Sequence, residues 1–266
     1  MSPLKPVLRW PGGKARLAEW ILSRIQPHTL YVETCCGGAA VFWAKPKDPK
    51  ITEVLNDADG ELINFYHQLH RRGKCLAIEV DAMPYSRKLF SAMLHARSTR
   101  SFRRAVRFWY LNRVAFGAKR DRPTYGVTTR HATVLPDSIL LNLDATIERL
   151  RGVAFESVDV VRAVELYDRQ NALLYVDPPY YGLSQDYAAT FGEADHSRLA
   201  AALRRVKGQW LLSYNDCPHI RALYADYTIH RRDIRYSLRN AKGCGRGSDG
   251  KSLARKLSGE LLIGNR

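Results

Sequence analysis

The chain has 266 residues, 45% of them hydrophobic and 26% charged, enough for a full core and ordinary for a globular protein in water. No apolar run reaches the roughly 18 residues of a spanning helix, and the opening Met-Ser-Pro-Leu-Lys-Pro lacks a signal-peptide core, so a cytoplasmic protein with no membrane partner is expected. The net charge is +16 and it is segregated: residues 71–130 hold fifteen Lys/Arg against three Asp/Glu, and residues 231–256 hold nine against two. That footprint fits a polyanion partner better than an evenly basic surface kept for solubility.

In chain order, Arg9-Trp10-Pro11-Gly12-Gly13-Lys14 comes first. It is not a P-loop, because Leu8 stands where the first glycine belongs and Ala15 where Ser or Thr belongs. It reads as a tight turn before an amphipathic helix with Leu17, Trp20, Ile21 and Ile25. The indole and the ammonium suit a ligand with an aromatic base and a carboxylate; a plain helix start with Trp10 in the core reads as well. Residues 29–33 are a strand, and Thr34-Cys35-Cys36-Gly37-Gly38 turns it into a helix. Glycines there let a ligand approach backbone N–H groups. Residues 51–55 are the next strand, Asn56-Asp57 follows, and a helix opens at Glu61. An acid about 20 residues past a glycine turn is the usual partner of a ribose diol; the alternative is that Asp57 caps the helix.

Between 67 and 150 the strand–helix alternation stops. Helices over 87–96 and 99–113, a loop or hairpin over 115–129, and a helical stretch from Asp137 with Leu140, Leu143, Ile147 and Leu150 on one face read as a helical insertion with a basic loop. Its cations are expected on phosphates, with one or two arginines reading guanine edges. Alternation resumes after Arg151. Seven strands result, near residues 30, 52, 154, 174, 211, 229 and 261, so 1–66 and 151–266 form an α/β sheet domain around the 67–150 insertion. Residues 238–251 read as a glycine-rich basic loop. The five cysteines show no CxxC spacing, which fits neither a disulfide framework nor a zinc site, and no metal is expected.

The stretch the others serve is Leu173–Val176 followed by Asp177-Pro178-Pro179-Tyr180. The apolar run reads as a buried parallel strand, and two prolines end it. An acid, a stiff turn and an aromatic ring therefore stand at the carboxyl end of a strand, where open α/β sheets bind ligands. A polar aromatic loop over 181–187 follows, placed to close over a site.

Trp10-Pro11-Gly12-Gly13-Lys14, Glu33 with Gly37-Gly38, Asn56-Asp57 before Leu62-Ile63-Asn64, Leu111-Asn112-Arg113 and Asp177-Pro178-Pro179-Tyr180 occur in one order. That order resembles the Dam-type (D12 class, α-group) DNA adenine N6-methyltransferases over most of the chain. The resemblance implies a seven-stranded Rossmann-like sheet that uses S-adenosylmethionine, with an inserted helical target-recognition domain. It implies that Trp10, Lys14, Glu33, Gly37, Gly38, Asp57 and Asp177 line the cofactor pocket, with Asp57 on the ribose hydroxyls. Asp177, Pro178, Pro179 and Tyr180 would form the catalytic motif. The Asp177 carboxylate and the Pro178 carbonyl would accept the amine hydrogens of an adenine flipped out of the duplex, and Tyr180 would stack on it. Arg113, Lys119, Arg120, Arg122, Arg239, Lys242 and Arg246 would contact double-stranded DNA, with no obligate protein partner. Two departures stand out. Thr34-Cys35-Cys36 replaces Pro-Phe and another small residue, and residues 114–120 lack the Phe-Asn-Gly-x-x-Arg pattern of enzymes recognising GATC, being closer to phage-borne members. Cytosine-N4 methylation uses similar motifs, although the motif order favours adenine. A non-catalytic DNA-binding protein on the same fold is the other alternative, supported only by the altered turn.

Overall fold

The computed structural model describes residues 4–118, 120, 122–127, 134–182, 191–234 and 258–265. Its centre is one seven-stranded sheet in the order β3-β2-β1-β4-β5-β7-β6. The strands are β1 (Leu30–Glu33), β2 (Thr52–Asn56), β3 (Val153–Glu156), β4 (Ala172–Val176), β5 (Gln209–Asn215), β6 (Thr228–Ile234) and β7 (Ser258–Gly264). All seven expected strands are present. The first five pair in parallel, and β7 slots antiparallel between β5 and β6.

Strand side chains alternate between two cores, as the period of two requires. Tyr31, Leu173, Tyr175 and Leu211 point to one face; Val32, Leu174, Val176 and Leu212 point to the other. β4 is buried along its whole length, which explains why its residues are apolar without alternation. Helices α8 (Val160–Tyr167), α9 (Glu193–Leu203) and α10 (Pro218–Leu223) cover the second face through Val160, Val164, Leu199, Leu203 and Ile220.

The first face is covered by α1 (Ala18–Leu22), α2 (Ala40–Ala44), α3 (Gly60–Asp81) and α5 (Ser101–Val114). Helix α3 starts in the sheet domain and runs on into the insertion, bending at Arg72, whose φ of −140° is not helical. The expected boundary at residue 66 therefore falls inside a helix. The join is a shared core: Phe65 stacks on Phe108 at 5.5 Å between ring centres and meets Trp109 edge-on at 5.4 Å. Helices α4 (Arg87–His95), α6 (Asp137–Leu140) and α7 (Leu143–Arg149) complete the insertion. The helical stretch expected from Asp137 consists of two helices, separated by Leu141 and Asn142.

At the insertion's far end, Arg149 returns to the sheet. It is 6% exposed and reaches Glu53 of β2 at 2.5 and 2.9 Å, with Lys45 on the same carboxylate at 3.1 Å. Among the described residues no helix is long and apolar enough to cross a membrane.

Candidate active site

Three neighbouring strands each end on an acid. Glu33 closes β1, Asp57 follows β2 and Asp177 follows β4. The chain leaves β1 for β2 on one side, while β4 lies on the other, so a crevice opens between them at the carboxyl ends. The cleft there measures about 630 Å³, a size usual for a small-molecule site. Glu33, Asp57 and Asp177 line it, together with Trp10, Lys14, Gly37, Gly38, Pro179 and Arg120.

Lys14 lies in a short 3-10 turn (Lys14–Arg16) and is 4% exposed. Its Nζ is 2.8 Å from Asp177 Oδ1 and 2.9 Å from Oδ2, donates to the Gly12 carbonyl at 3.0 Å and lies 3.7 Å from Glu260 Oε1. A buried cation is tolerable only when paired and hydrogen-bonded. The ammonium, expected to face a ligand carboxylate, holds the acid of the motif instead.

Trp10 packs on the glycine turn. A Cβ at Gly37 would sit 2.5 Å from Trp10 Nε1, and one at Gly38 would sit 2.9 Å from Trp10 Cβ. Gly37 also has φ +48°. The indole itself thus requires both glycines. The altered Thr34-Cys35-Cys36 segment keeps its turn: Cys36 N–H donates to the Asn56 carbonyl at 2.8 Å, and the Asn56 amide donates to the Thr34 carbonyl at 2.8 Å. The α2 helix that follows has only five residues, too short to act as an anion-binding terminus.

Asp57 is not the helix cap. Asp59 caps α3, accepting from the Glu61 and Leu62 N–H groups. The Asp57 carboxylate instead accepts from Gly37 N–H at 2.9 Å and Asp59 N–H at 3.0 Å, facing the cleft. Burial pushes its pKa up to about 6, against the Gly37 N–H and the Arg120 charge. Burial pushes Glu33 up to about 8 although Tyr31 O–H and Phe42 N–H donate to it, so Glu33 is largely protonated at neutral pH. Asp177 is raised as well by burial, and Lys14 opposes the rise.

Pro179 lines the cleft, while Pro178 is buried behind it. Tyr180 is 8% exposed; its hydroxyl donates to Glu260 and its ring centre lies 4.7 Å from Lys14 Nζ. Asn112 of the Leu111-Asn112-Arg113 motif clips the N-terminal turn, accepting from Arg9 N–H at 3.1 Å and donating to the Arg9 carbonyl at 2.7 Å.

The residues expected on DNA divide. Arg120 stands in the cleft wall: it pairs with Asp59, and its guanidinium lies 5.3 Å from the Trp10 ring centre and 4.7 Å from that of Phe108. Burial lowers it to about 10. Arg113 turns inward to the Val134 carbonyl at 3.3 Å, and burial lowers it likewise to about 10. Arg122 is exposed. Lys119, Arg239, Lys242 and Arg246 lie outside the described residues, as does the loop expected to close over the site beyond Gly182.

Several groups at the cleft have no signal in the sequence. Glu260 comes from the last strand, and only the antiparallel placement of β7 brings it under Tyr180. Arg104 of α5 lines the cleft and pairs with Glu61 at 2.5 Å. Arg198 bridges Asp159 at 2.8 Å and Asp195 at 3.2 Å along the rim.

An open, mostly parallel sheet with an acidic, glycine-bordered crevice at its switch point defines a Rossmann-like α/β enzyme. A family model described as D12 class N6 adenine-specific DNA methyltransferase matches residues 10–238, and the chain belongs to that family. It is similar to the Type II methyltransferase M1.LlaDCHI of Lactococcus lactis subsp. cremoris, at 26% identity over 86% of this chain and 87% of the relative. It is similar also to the DNA adenine methylase of Haemophilus influenzae, at 25% identity over 88% of this chain and 87% of the relative. The DNA N-6-adenine-methyltransferase of Escherichia phage P1 matches at 24% identity, over 84% of this chain but 31% of that longer protein. The chain is a DNA adenine N6-methyltransferase by family.

Proposed function

We propose that the chain carries a methyl group from S-adenosylmethionine to N6 of an adenine extruded from duplex DNA, and that Asp177 grips the amine. The observation that carries this reading is the position of the Asp177 carboxylate. It follows β4, faces the cleft beside Pro179 and is backed by a buried cation.

The residues present fit the donor. Asp57 and Asp177 face one cleft, and their ionised forms favour a ligand with positive charge, here a sulfonium and an ammonium, to which the protonated Glu33 adds no charge. The Asp57 carboxylate, already oriented by two backbone N–H groups, has acceptor capacity left for a ribose diol. Trp10 offers an indole beside the glycine turn for an apolar or aromatic part of the ligand. When bound, S-adenosylmethionine supplies an electrophilic methyl group.

The adenine amine is a weak nucleophile because its lone pair is delocalised into the ring. Asp177 and the Pro178 carbonyl accept hydrogen bonds from its two N–H groups, hold the nitrogen in place and favour the geometry of attack, and the one proton lost after transfer leaves from the Asp177 side to solvent. Burial raises the Asp177 pKa, and Lys14 opposes the rise and so favours the ionised, accepting form. Positioning of this kind supplies much of the rate in a bimolecular transfer. The basic insertion and the 231–256 segment contact phosphates and offset the roughly few kcal/mol needed to unstack the base.

The test is methyl incorporation into duplex DNA with S-adenosylmethionine, followed by digestion and mapping of N6-methyladenine by sequence context. Incorporation at N4 of cytosine, or none with a correctly folded protein, would overturn the reading.

A further inference from the structure

We propose that Glu260, on the last strand, is a positioning residue for methyl transfer, acting through Lys14 and Tyr180 to hold the two groups that flank the amine. The inference rests on the reading that Asp177 grips the amine.

Glu260 is 1% exposed. It sits on β7 with Asn215 of β5 on one side and Arg232 of β6 on the other. A carboxylate that deep needs charged or hydrogen-bonding partners to stay ionised. Two of those it has belong to the site: it accepts from the Tyr180 hydroxyl, and Lys14 Nζ lies 3.7 Å from its Oε1. The same Nζ is 2.8 Å from Asp177 Oδ1. One buried cation is therefore shared by two carboxylates, one in the cleft and one beneath it.

Two consequences follow from that sharing. The first is mechanical. Tyr180 is held at its hydroxyl by Glu260 and across its ring by Lys14, with the Tyr214 ring 6.1 Å away. A ring held at both places cannot swing, so the end of the Asp177–Tyr180 turn behind the cleft is preset. The second is electrostatic. Glu260 draws on the same ammonium as Asp177, which limits how tightly Lys14 clamps Asp177 and leaves that carboxylate able to accept from an incoming amine. Among the described residues, the titratable or charged groups around Glu260 include Tyr175 of β4, whose hydroxyl meets Ser213 at 2.8 Å, and Arg232, an exposed side chain whose guanidinium lies over Trp20.

The experiment compares Glu260→Gln, Glu260→Asp and Tyr180→Phe with the parent protein. It measures single-turnover methyl transfer against pH, together with binding of S-adenosylhomocysteine and of duplex DNA. In Glu260→Gln the transfer rate should fall tenfold or more while both affinities stay within threefold. Lys14 then serves Asp177 alone, so the acidic limb of the rate profile should move to lower pH. Glu260→Asp keeps the charge and should return the limb to its place. Tyr180→Phe should lose rate too, and combined with Glu260→Gln it should lose less than the product of the two separate losses.

A Glu260→Gln protein with parental rate and an unmoved limb overturns the proposal, as does a change confined to donor affinity. If Glu260→Gln does not fold, Glu260→Asp and Tyr180→Phe decide: parental transfer rates in both sink the idea, and reduced rates with unchanged binding support it. Asp177→Ala separates the two readings. If it still turns over, the Asp177 reading itself fails; if it is dead while Glu260 variants are normal, only the role of Glu260 is lost.

Discussion

The cleft is built by two regions with opposite chemistry. The sheet presents acids: Glu33, Asp57 and Asp177 at the ends of three adjacent strands, with Glu260 beneath them. The insertion presents cations: Arg104 and Arg120, paired with Glu61 and Asp59 at the start of α3. The sheet's groups are fixed by strand register and are nearly all buried. The insertion's groups are partly exposed, and their position depends on how the insertion is held. The difference assigns them different work. Changes at Asp177 and Glu260 of the sheet should strike the transfer itself, and changes at Asp57 and among the insertion's cations should strike ligand affinity.

The largest effect is expected at Asp177. Asp177→Ala removes the proposed acceptor for the amine and leaves Lys14 beside Glu260. Methyl transfer should fall by about a thousandfold or more, as when a positioned hydrogen-bonding group is lost from a transition state. Duplex binding should be little changed. A variant with near-normal single-turnover rate would remove the sheet's acid from the chemistry and break the comparison at its strongest point.

Next is the bolt between the regions. Arg149 ends the insertion and is buried against Glu53 of β2, with its guanidinium 3.7 Å from the Phe42 ring centre. Arg149→Ala leaves the Glu53 carboxylate buried with Lys45 alone. Breaking a buried pair costs about 3–5 kcal/mol, and for a chain of this size that lowers the melting temperature by on the order of 10 °C. Thermal unfolding followed by circular dichroism checks this. A change under about 2 °C would mean the insertion is not anchored to the sheet through Arg149.

Arg120 tests the insertion's share. Read from the chain alone it is one of fifteen cations facing phosphates; in the fold it stands in the cleft wall. Arg120→Ala should weaken S-adenosylhomocysteine binding about tenfold, or about 1.4 kcal/mol, measured by calorimetry. Duplex affinity and its salt slope should change little. The opposite pattern, with donor binding unmoved and the salt slope reduced by about one, would return Arg120 to the DNA surface.

These cases show what was legible in the sequence. The central strand β4 was readable because burial on both faces leaves no choice of residue type, whereas the edge strand β6 carries His230, Arg231, Arg232 and Asp233 and was readable only from its place between turns. The acids were readable because they stand one step from apolar runs. Asn112 was part of a motif, but its task, clipping the backbone of Arg9 across 103 positions, was not. The place of Arg120 in the cleft wall and that of Glu260 beneath it had no signal in the sequence for one reason. Each gets there by tertiary placement, Arg120 to the cleft wall through the insertion and Glu260 to a buried position beneath the cleft through the antiparallel insertion of β7, and neither placement leaves a periodic mark. No turn residue marks the passage at residue 66, because α3 runs through it and changes direction only at Arg72.

The smallest expected effect is a pH dependence that distinguishes two of the sheet's own acids. Asp57 is raised by burial to about 6, and its ionised form is the better acceptor for a ribose diol. Donor affinity should therefore rise several-fold as pH climbs through about 6 and level off above 7, and Asp57→Asn should flatten the curve. Stability should run the other way. A carboxyl whose pKa is higher folded than unfolded binds protons more readily in the folded state. Asp57 thus favours folding at about pH 4 and loses that contribution as pH rises through about 6, and Glu33 loses its own through about 8. Urea midpoints taken from pH 5 to 9 should fall with pH, and Glu33→Gln should remove the upper part of the decline while leaving the step in donor affinity near 6 in place. If Glu33→Gln moved that step instead, the ligand-facing acid would be the one closing β1, and the assignment of the diol to Asp57 would fail.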